Sequence, residues 1–216
     1  MPTKRPFSDW NKEELEETFG LNRMETVAPL EQWFQAAQTM TIEEMDAIVL
    51  NRLYKALLNN VDAWNEIELI EYCIGPLFVW VDFNTPHFKI FSERALAGIV
   101  GDYELSGEPD AMIATGRYSP KIPYFCFHEY KKENEPKGDP AAQALAAMLV
   151  AQELNRRDHP IYGLYVVGKL WQFIVLQGQE YAISRGFLAD GEEIFTIFKI
   201  LKALKAMLIE IAKQDA

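Results

Sequence analysis

Gly138-Asp139-Pro140, followed by a run rich in alanine, constrains this chain more than any other segment. An aspartate at an N-cap accepts backbone N–H groups, and a proline at the first helical position has no N–H to lose, so the triplet marks a helix start. Ala141, Ala142, Ala144, Ala146, Ala147 and Ala151 lie on the helix predicted over Ala141 to Asn155, and side chains this small let it pack very close to a sheet. Strands are predicted on both sides of it. Arg94 to Leu105, Pro109 to Thr115 and Tyr124 to Lys131 are rich in β-branched, aromatic and small apolar residues, with Ser106-Gly107 and the segment Gly116 to Pro123 between them. They read as three consecutive antiparallel strands. Ile161 to Val167 and Trp171 to Leu176, joined at Gly168-Lys169, read as a further hairpin.

The first 60 residues read as a helical layer. Trp10 to Phe19, closed by Gly20, and Leu30 to Gln38 are two short helices; Thr41 and Glu44 form a capping box before Ile42, Met45, Val49, Leu53 and Leu57 at helical spacing. Asn60 to Cys73 is another helix, ended at Gly75-Pro76 because proline cannot continue the hydrogen-bond ladder. Residues 61–189 then form the core, and Glu192 to Ala212 a closing amphipathic helix over 190–216. With no internal repeat, low-complexity tract or long linker, residues 1–216 read as one α/β domain, of the α+β kind with a mixed sheet.

Composition narrows the class further. A 216-residue chain with 49% hydrophobic and 25% charged side chains excludes a disordered, collagen-like or coiled-coil protein. The two cysteines, Cys73 and Cys126, each lie in an apolar run, so neither a disulfide framework nor a cysteine zinc site is expected, and a reducing cytoplasm is the natural compartment. The opening Met1-Pro2-Thr3-Lys4-Arg5 lacks the apolar stretch of a signal peptide. Ile74 to Val81 is far shorter than the ~20 residues that cross a bilayer, so no membrane is expected. Serine hydrolases, P-loop NTPases and dinucleotide-binding enzymes lack their motifs here.

The chemistry concentrates on one predicted strand. Glu129 and Lys131 are two apart and share a face with Phe125 and Phe127, while Tyr124, Cys126, His128 and Tyr130 point the other way. Charge on such a face needs a partner or a metal. Asp110, on the preceding strand, is placed to face Glu129 across the hairpin. Two carboxylates beside a lysine make a hard-oxygen site for Mg²⁺ or Mn²⁺, with an ammonium to orient water or meet developing charge on a phosphate.

Pro109-Asp110 and, nineteen residues on, Glu129-Tyr130-Lys131 resemble the motif of the PD-(D/E)XK nuclease superfamily, the restriction-endonuclease-like fold. Chance alone gives about two acid-x-Lys tripeptides in such a composition, and two occur, the second being Glu135-Pro136-Lys137. Only the first lies on a strand, follows the chain's sole Pro-Asp and precedes a capped helix. The resemblance runs from Asn65 to Leu176, roughly half the chain, and implies an αβββαβ core with Mg²⁺- or Mn²⁺-dependent hydrolysis of DNA. It implies metal on Asp110, Glu129 and the Tyr130 carbonyl, with Lys131 positioning water. Asn65-Glu66-Ile67-Glu68, followed by Ile74-Gly75-Pro76-Leu77-Phe78, is similar to the N-terminal helix of type I restriction enzyme nuclease domains, where an acidic residue joins the site. Glu66 and Glu68 both match, ahead of Glu71. Gln143 resembles a glutamine that exonuclease-like members place beside the metal, although Ala147 stands where their tyrosine would be.

Blander readings exist for each residue. Glu129 and Lys131 could be an ion pair at a sheet edge, Asp110 a turn residue, and Glu66 and Glu68 part of a solvated helix face. His128 is expected to pack or hydrogen-bond on the opposite face, and His87 and His159 read as loop histidines.

Charge separates along the chain. The net charge is -11, but residues 1 to 71 carry 14 acidic against 6 basic side chains, whereas residues 111 to 189 carry 7 against 9. Arg117, Lys121, Lys132 and Lys137 are the expected phosphate contacts, with Arg156, Arg157, Lys169 and Arg185 beyond them. DNA binding by the chain alone should be weak and salt-sensitive, which suggests a homodimer or larger complex. The alternative is a non-catalytic module that binds a protein partner through its acidic helices.

Overall fold

The computed structural model describes residues 2–134, 138–156 and 159–214. In chain order, β1 (Thr3–Pro6), a 3-10 turn (Phe7–Asp9), α1 (Lys12–Phe19), β2 (Asn22–Met24), α2 (Ala28–Thr39) and α3 (Glu44–Asn60) come first. A helical run follows, made of α4 (Glu66–Leu69), a π turn (Ile70–Ile74) and α5 (Gly75–Val81). Then come β3 (Lys89–Ser92), β4 (Leu96–Val100), β5 (Tyr103–Gly107), β6 (Ala111–Thr115) and β7 (Lys121–Lys131). The chain closes with α6 (Pro140–Leu154), β8 (Ile161–Val167), β9 (Leu170–Gln177), β10 (Glu180–Ile183), β11 (Phe187–Leu188) and α7 (Glu193–Gln214).

The alanine-rich helix starts where its sequence places it. Ala142 donates its backbone N–H to Asp139 Oδ1 at 3.1 Å, and Lys12 Nζ reaches Asp139 Oδ2 at 2.6 Å. From Ala141 to Gln152 every residue but Gln143 is buried, so α6 has almost no solvent face. It lies between two sheets: a small one ordered β1-β5-β4, and an eight-stranded one ordered β2-β10-β9-β8-β7-β6-β3, with β11 paired to β9. Each sheet meets the helix at a glycine. A Cβ on Gly98 of β4 would stand 2.7 Å from Val150 Cγ1, and one on Gly163 of β8 would stand 2.7 Å from Met148 Sδ. Both contacts require a missing side chain on the sheet as well as small ones on the helix.

The opposite face of the large sheet carries a second core under α2, α3, α5 and α7. Trp33 of α2 is fully buried there and donates its indole N–H to the Ile200 carbonyl of α7 at 2.7 Å. Within the sheet β3, β6 and β7 run antiparallel, while β7 and β8 run parallel and are joined by α6 crossing over one face. Five strands lie between α5 and α6, and three of them, β3, β6 and β7, belong to the large sheet, so that sheet reads helix, three strands, helix, strand once the β4–β5 hairpin is set aside, in a mixed α+β architecture. No helix among the described residues is long and apolar enough to cross a membrane.

Several sequence expectations need correction. Arg94 to Leu105 is not one strand of the large sheet: Gly101, with φ at 56°, turns it into the β4–β5 hairpin of the small sheet, and β3 becomes the first strand beside β6. The first 60 residues are not helical throughout, since β1 pairs in parallel with β5 and β2 with β10. α3 is capped by Glu43 and Asp46 rather than Thr41 and Glu44. Asp46 turns inward, where it accepts from Trp80 Nε1 at 2.8 Å and from Lys202 Nζ at 3.4 Å. That moves the buried stripe to Asp46, Leu50, Leu53 and Leu57 and leaves Met45 57% exposed.

The helix also does not stop at Gly75-Pro76. The Gly75 N–H donates to Ile70, five residues back, so the π turn absorbs the extra residue and Pro76 falls in the first turn of α5, where no N–H is needed. A Cβ on Gly75 would come within 2.9 Å of the Ile70 carbonyl oxygen. Phe125 departs from the face of Phe127 and joins the core of Cys126 and Tyr130, because the β6–β7 register shifts beside Ala114.

Candidate functional site

The β6–β7 pairing delivers the first two carboxyls. Ala111 stands opposite His128, so Asp110 lies at the start of β6 beside Glu129. Asp110 Oδ2 accepts the Tyr130 backbone N–H at 2.6 Å, which fixes the plane of its carboxyl, and the Asp110 and Glu129 carboxyls lie within hydrogen-bonding reach of each other. Strand alternation then places Lys131 on the face of Glu129, with Nζ 3.8 Å from Glu129 Oε2. α4 supplies the fourth group: Glu66 Oε2 is 3.7 Å from Lys131 Nζ. Asp110, Glu129, Lys131 and Glu66 therefore converge at the C-terminal end of β7.

The cluster is short of positive charge. Glu129 is 4% exposed, and burial, reinforced by the Asp110 charge, pushes its carboxyl well above the ordinary range despite Lys131. Burial also raises Asp110 against the pull of the Tyr130 N–H and Lys131, and it raises Glu66 against Lys131. Three carboxyls that resist ionising together around one ammonium form a site that a divalent cation would relieve. Among the described residues no three His, Cys, Asp or Glu side chains converge as a metal-ligand group. A cation here would take two carboxylates, Asp110 and Glu129, with the Tyr130 carbonyl, and fill its remaining positions with water, a pattern that suits Mg²⁺. The residues present fit such an ion.

On the other face of β7 the packing is structural. The His128 ring stacks on Phe78 with centroids 4.8 Å apart, and its Nδ1 lies 2.8 Å from the Tyr130 hydroxyl. Burial lowers its pKa to about 3, so this histidine is neutral. His159 is also held, with its ring stacked on Phe125 and Nδ1 2.9 Å from the Pro160 carbonyl oxygen.

Other expected site residues stand elsewhere. Glu68 is spent in a capping box, accepting the Asn65 N–H at 2.8 Å, and Glu71 is exposed, so of the three glutamates Glu66 is the one that meets Lys131. Gln143 folds back on the turn before α6, its Nε2 only 2.7 Å from where a Gly138 Cβ would be. Lys132 follows Lys131 directly, at the site's end of β7. Arg117 and Lys121 do not surround the cluster: Thr115 pairs with Lys121, so both belong to the opposite end of the β6–β7 hairpin. Lys169 is paired with Glu133 and Asp190, and Arg185 with Glu193. Lys137, with its tripeptide Glu135-Pro136-Lys137, and Arg157 lie outside the described residues.

Sequence reasoning missed two features. Glu93, just after β3, adopts φ of 47° and donates its N–H to the Asp110 carbonyl at 3.2 Å. Its charge adds to the upward push on Asp110. Beside it a cavity of about 300 Å³ opens between the α4–α5 run and the edge of β3 and β6, with Glu66, Glu93, Asp110 and Tyr130 in its lining. Nothing local in the sequence marks Glu93, because the left-handed backbone that aims it is set by pairing 17 positions later, at Asp110.

No protein-family model matches the chain, and no curated protein matches it.

Proposed function

We propose that this chain is a divalent-metal-dependent phosphodiesterase acting on DNA, of the PD-(D/E)XK nuclease kind. One observation carries the reading: Asp110, Glu129 and Lys131, chosen from a spacing pattern, meet at one end of β7, with Glu66 contributed by a helix distant in sequence. The helix, three strands, helix, strand succession of the large sheet, interrupted by the β4–β5 hairpin, supports it.

Asp110, Glu129 and the Tyr130 carbonyl would hold Mg²⁺ or Mn²⁺. The bound ion supplies a lowered water pKa and charge neutralisation on the phosphate. The Tyr130 N–H keeps the Asp110 carboxyl oriented, so little reorganisation is needed when substrate arrives. Lys131, held between Glu66 and Glu129, directs its ammonium at the attacking water and at charge developing on the phosphate oxygens. Lys132 adds positive charge for the backbone of the strand, and Arg117 and Lys121 reach a more distant stretch of it. With an acidic N-terminal half, the chain alone grips DNA weakly, and a second copy or a larger complex supplies affinity. Two buried free thiols suit a reducing cytoplasm.

The test is incubation with linear, circular and single-stranded DNA in Mg²⁺ and in Mn²⁺. Cleavage that disappears in Asp110→Ala and Lys131→Ala supports the reading, and cleavage that survives both substitutions sinks it.

A second reading, a binding module without catalysis, draws on exposed apolar side chains among the acidic helices, such as Met45, Ile48 and Tyr72. Calorimetric titration with Mg²⁺ separates the two, since the module requires no binding that depends on Asp110 and Glu129.

A further inference from the structure

We infer that the cavity beside Asp110 receives a single unstacked nucleobase, so that the preferred substrate is a single strand or a frayed end rather than intact duplex. The inference rests on the phosphodiesterase reading, because it is that site which puts a phosphate at the cavity's mouth.

Three observations carry it. The first is size and wall chemistry. At about 300 Å³ the space lies at the small end of the range for ligand pockets and admits one base, not a base pair. Its walls are Ile70, Ile74, Phe78 and Ile90, which offer apolar faces to a flat ring. Asn84 and Glu93 add acceptors for the amino groups on a base's pairing edge.

The second is continuity. Asp110, an expected metal ligand, and Glu66, which meets Lys131, both line the cavity, so a phosphate bound at the cluster holds its own nucleoside at the opening. A base can enter only after leaving its stack, which is easiest where it is unpaired.

The third is the shape of the walls. The π turn widens the helix along Ile70 and Ile74, and Glu93 is held at positive φ at the other side of the space. Backbone irregularities of both kinds gather at functional sites. At the rim, Ile67 and Val79 are 65% and 77% exposed, apolar surface that a bound base would cover.

The experiment compares a single-stranded oligonucleotide carrying 2-aminopurine with a blunt duplex of the same sequence. Both are titrated with the full chain in Ca²⁺, so that binding is read without cleavage. The expected result is fluorescence that rises as the probe base unstacks, and single-strand affinity about tenfold or more above duplex, the scale of one stacked base. Val79→Trp fills the cavity from an exposed position and should bring single-strand affinity down to the duplex level; Ile67→Trp does so from a second rim position if the first variant unfolds. Equal affinity for the two DNAs, or a preference unchanged in a folded rim variant, overturns the inference.

Hydrolysis of bis(p-nitrophenyl) phosphate in Mn²⁺ keeps the two readings apart. Its absence removes the phosphodiesterase and leaves the fluorescence result standing, whereas Asp110-dependent hydrolysis without single-strand preference removes the base site alone.

Discussion

The Tyr130 backbone N–H donates to Asp110 Oδ2 at 2.6 Å, tying the residue just before β6 to the residue between Glu129 and Lys131. The same hydrogen bond that ties the open end of the β6–β7 hairpin also orients a candidate metal ligand, so fold and function can be separated at this position by a conservative change. Asp110→Asn keeps an oxygen for the Tyr130 N–H but removes the charge. Melting temperature should stay within a few degrees of the parent, while Mg²⁺-dependent cleavage falls by about a hundredfold or more. Parallel thermal melts and cleavage assays check this, and a collapse in stability would show that the carboxylate is mainly structural.

Burial of Glu129 is expected to make the protein less stable at high pH. Its folded pKa is raised by burial and by Asp110, so the folded state holds a proton that the unfolded chain releases near pH 4 to 5. The stability linked to that proton is complete below the unfolded pKa and is lost as pH rises through the folded one. Glu129→Gln should therefore stabilise the EDTA-treated protein at pH 8, by on the order of 1 kcal/mol, and change little at pH 4. Urea unfolding at the two pH values reads the difference.

His128 acts in the opposite direction. Its pKa falls from 6.5 to about 3 on folding because burial disfavours the imidazolium. The unfolded chain thus binds a proton that the folded one refuses, and stability is lost as pH drops through this window, at up to ~1.4 kcal/mol per pH unit. His128→Phe should flatten that part of the stability profile, as measured by denaturant unfolding between pH 7 and pH 4.

The close packing around α6 predicts intolerance on both of its faces. Gly163→Val drives new atoms into Met148, and Gly98→Val into Val150, each with an expected loss of about 1–3 kcal/mol. Asp139→Ala removes the cap and the partner of Lys12, with a loss of about 1 kcal/mol. Calorimetric melting of the three variants measures these losses.

The parts of the fold legible in the sequence were those specified locally. α6, the β8–β9 hairpin and α7 carry their own caps, turns and periodicity, and they stand where those signals place them. The errors fall where distant partners decide. α3 shifts its buried stripe because Trp80 and Lys202 draw Asp46 inward. The helix continues past Gly75-Pro76 because a π turn can accommodate the proline, and residues 94–105 leave the large sheet because β1, from the far end of the chain, pairs with β5. In the candidate site, Asp110, Glu129 and Lys131 were visible because strand alternation fixes their relation. Choosing Glu66 over Glu68 required the Asn65 capping box, and Glu93 required a backbone conformation that no residue type announces.

The strands that end the main order of the eight-stranded sheet are short, β2 with three residues and β3 with four. Arg23 sits in one, Lys89 opens the other, and the backbone of Glu93 breaks the extended line just after β3. Short, charged, kinked borders make poor templates for another chain's backbone. A large sheet rich in β-branched and aromatic residues is thereby guarded at both borders against edge-to-edge aggregation.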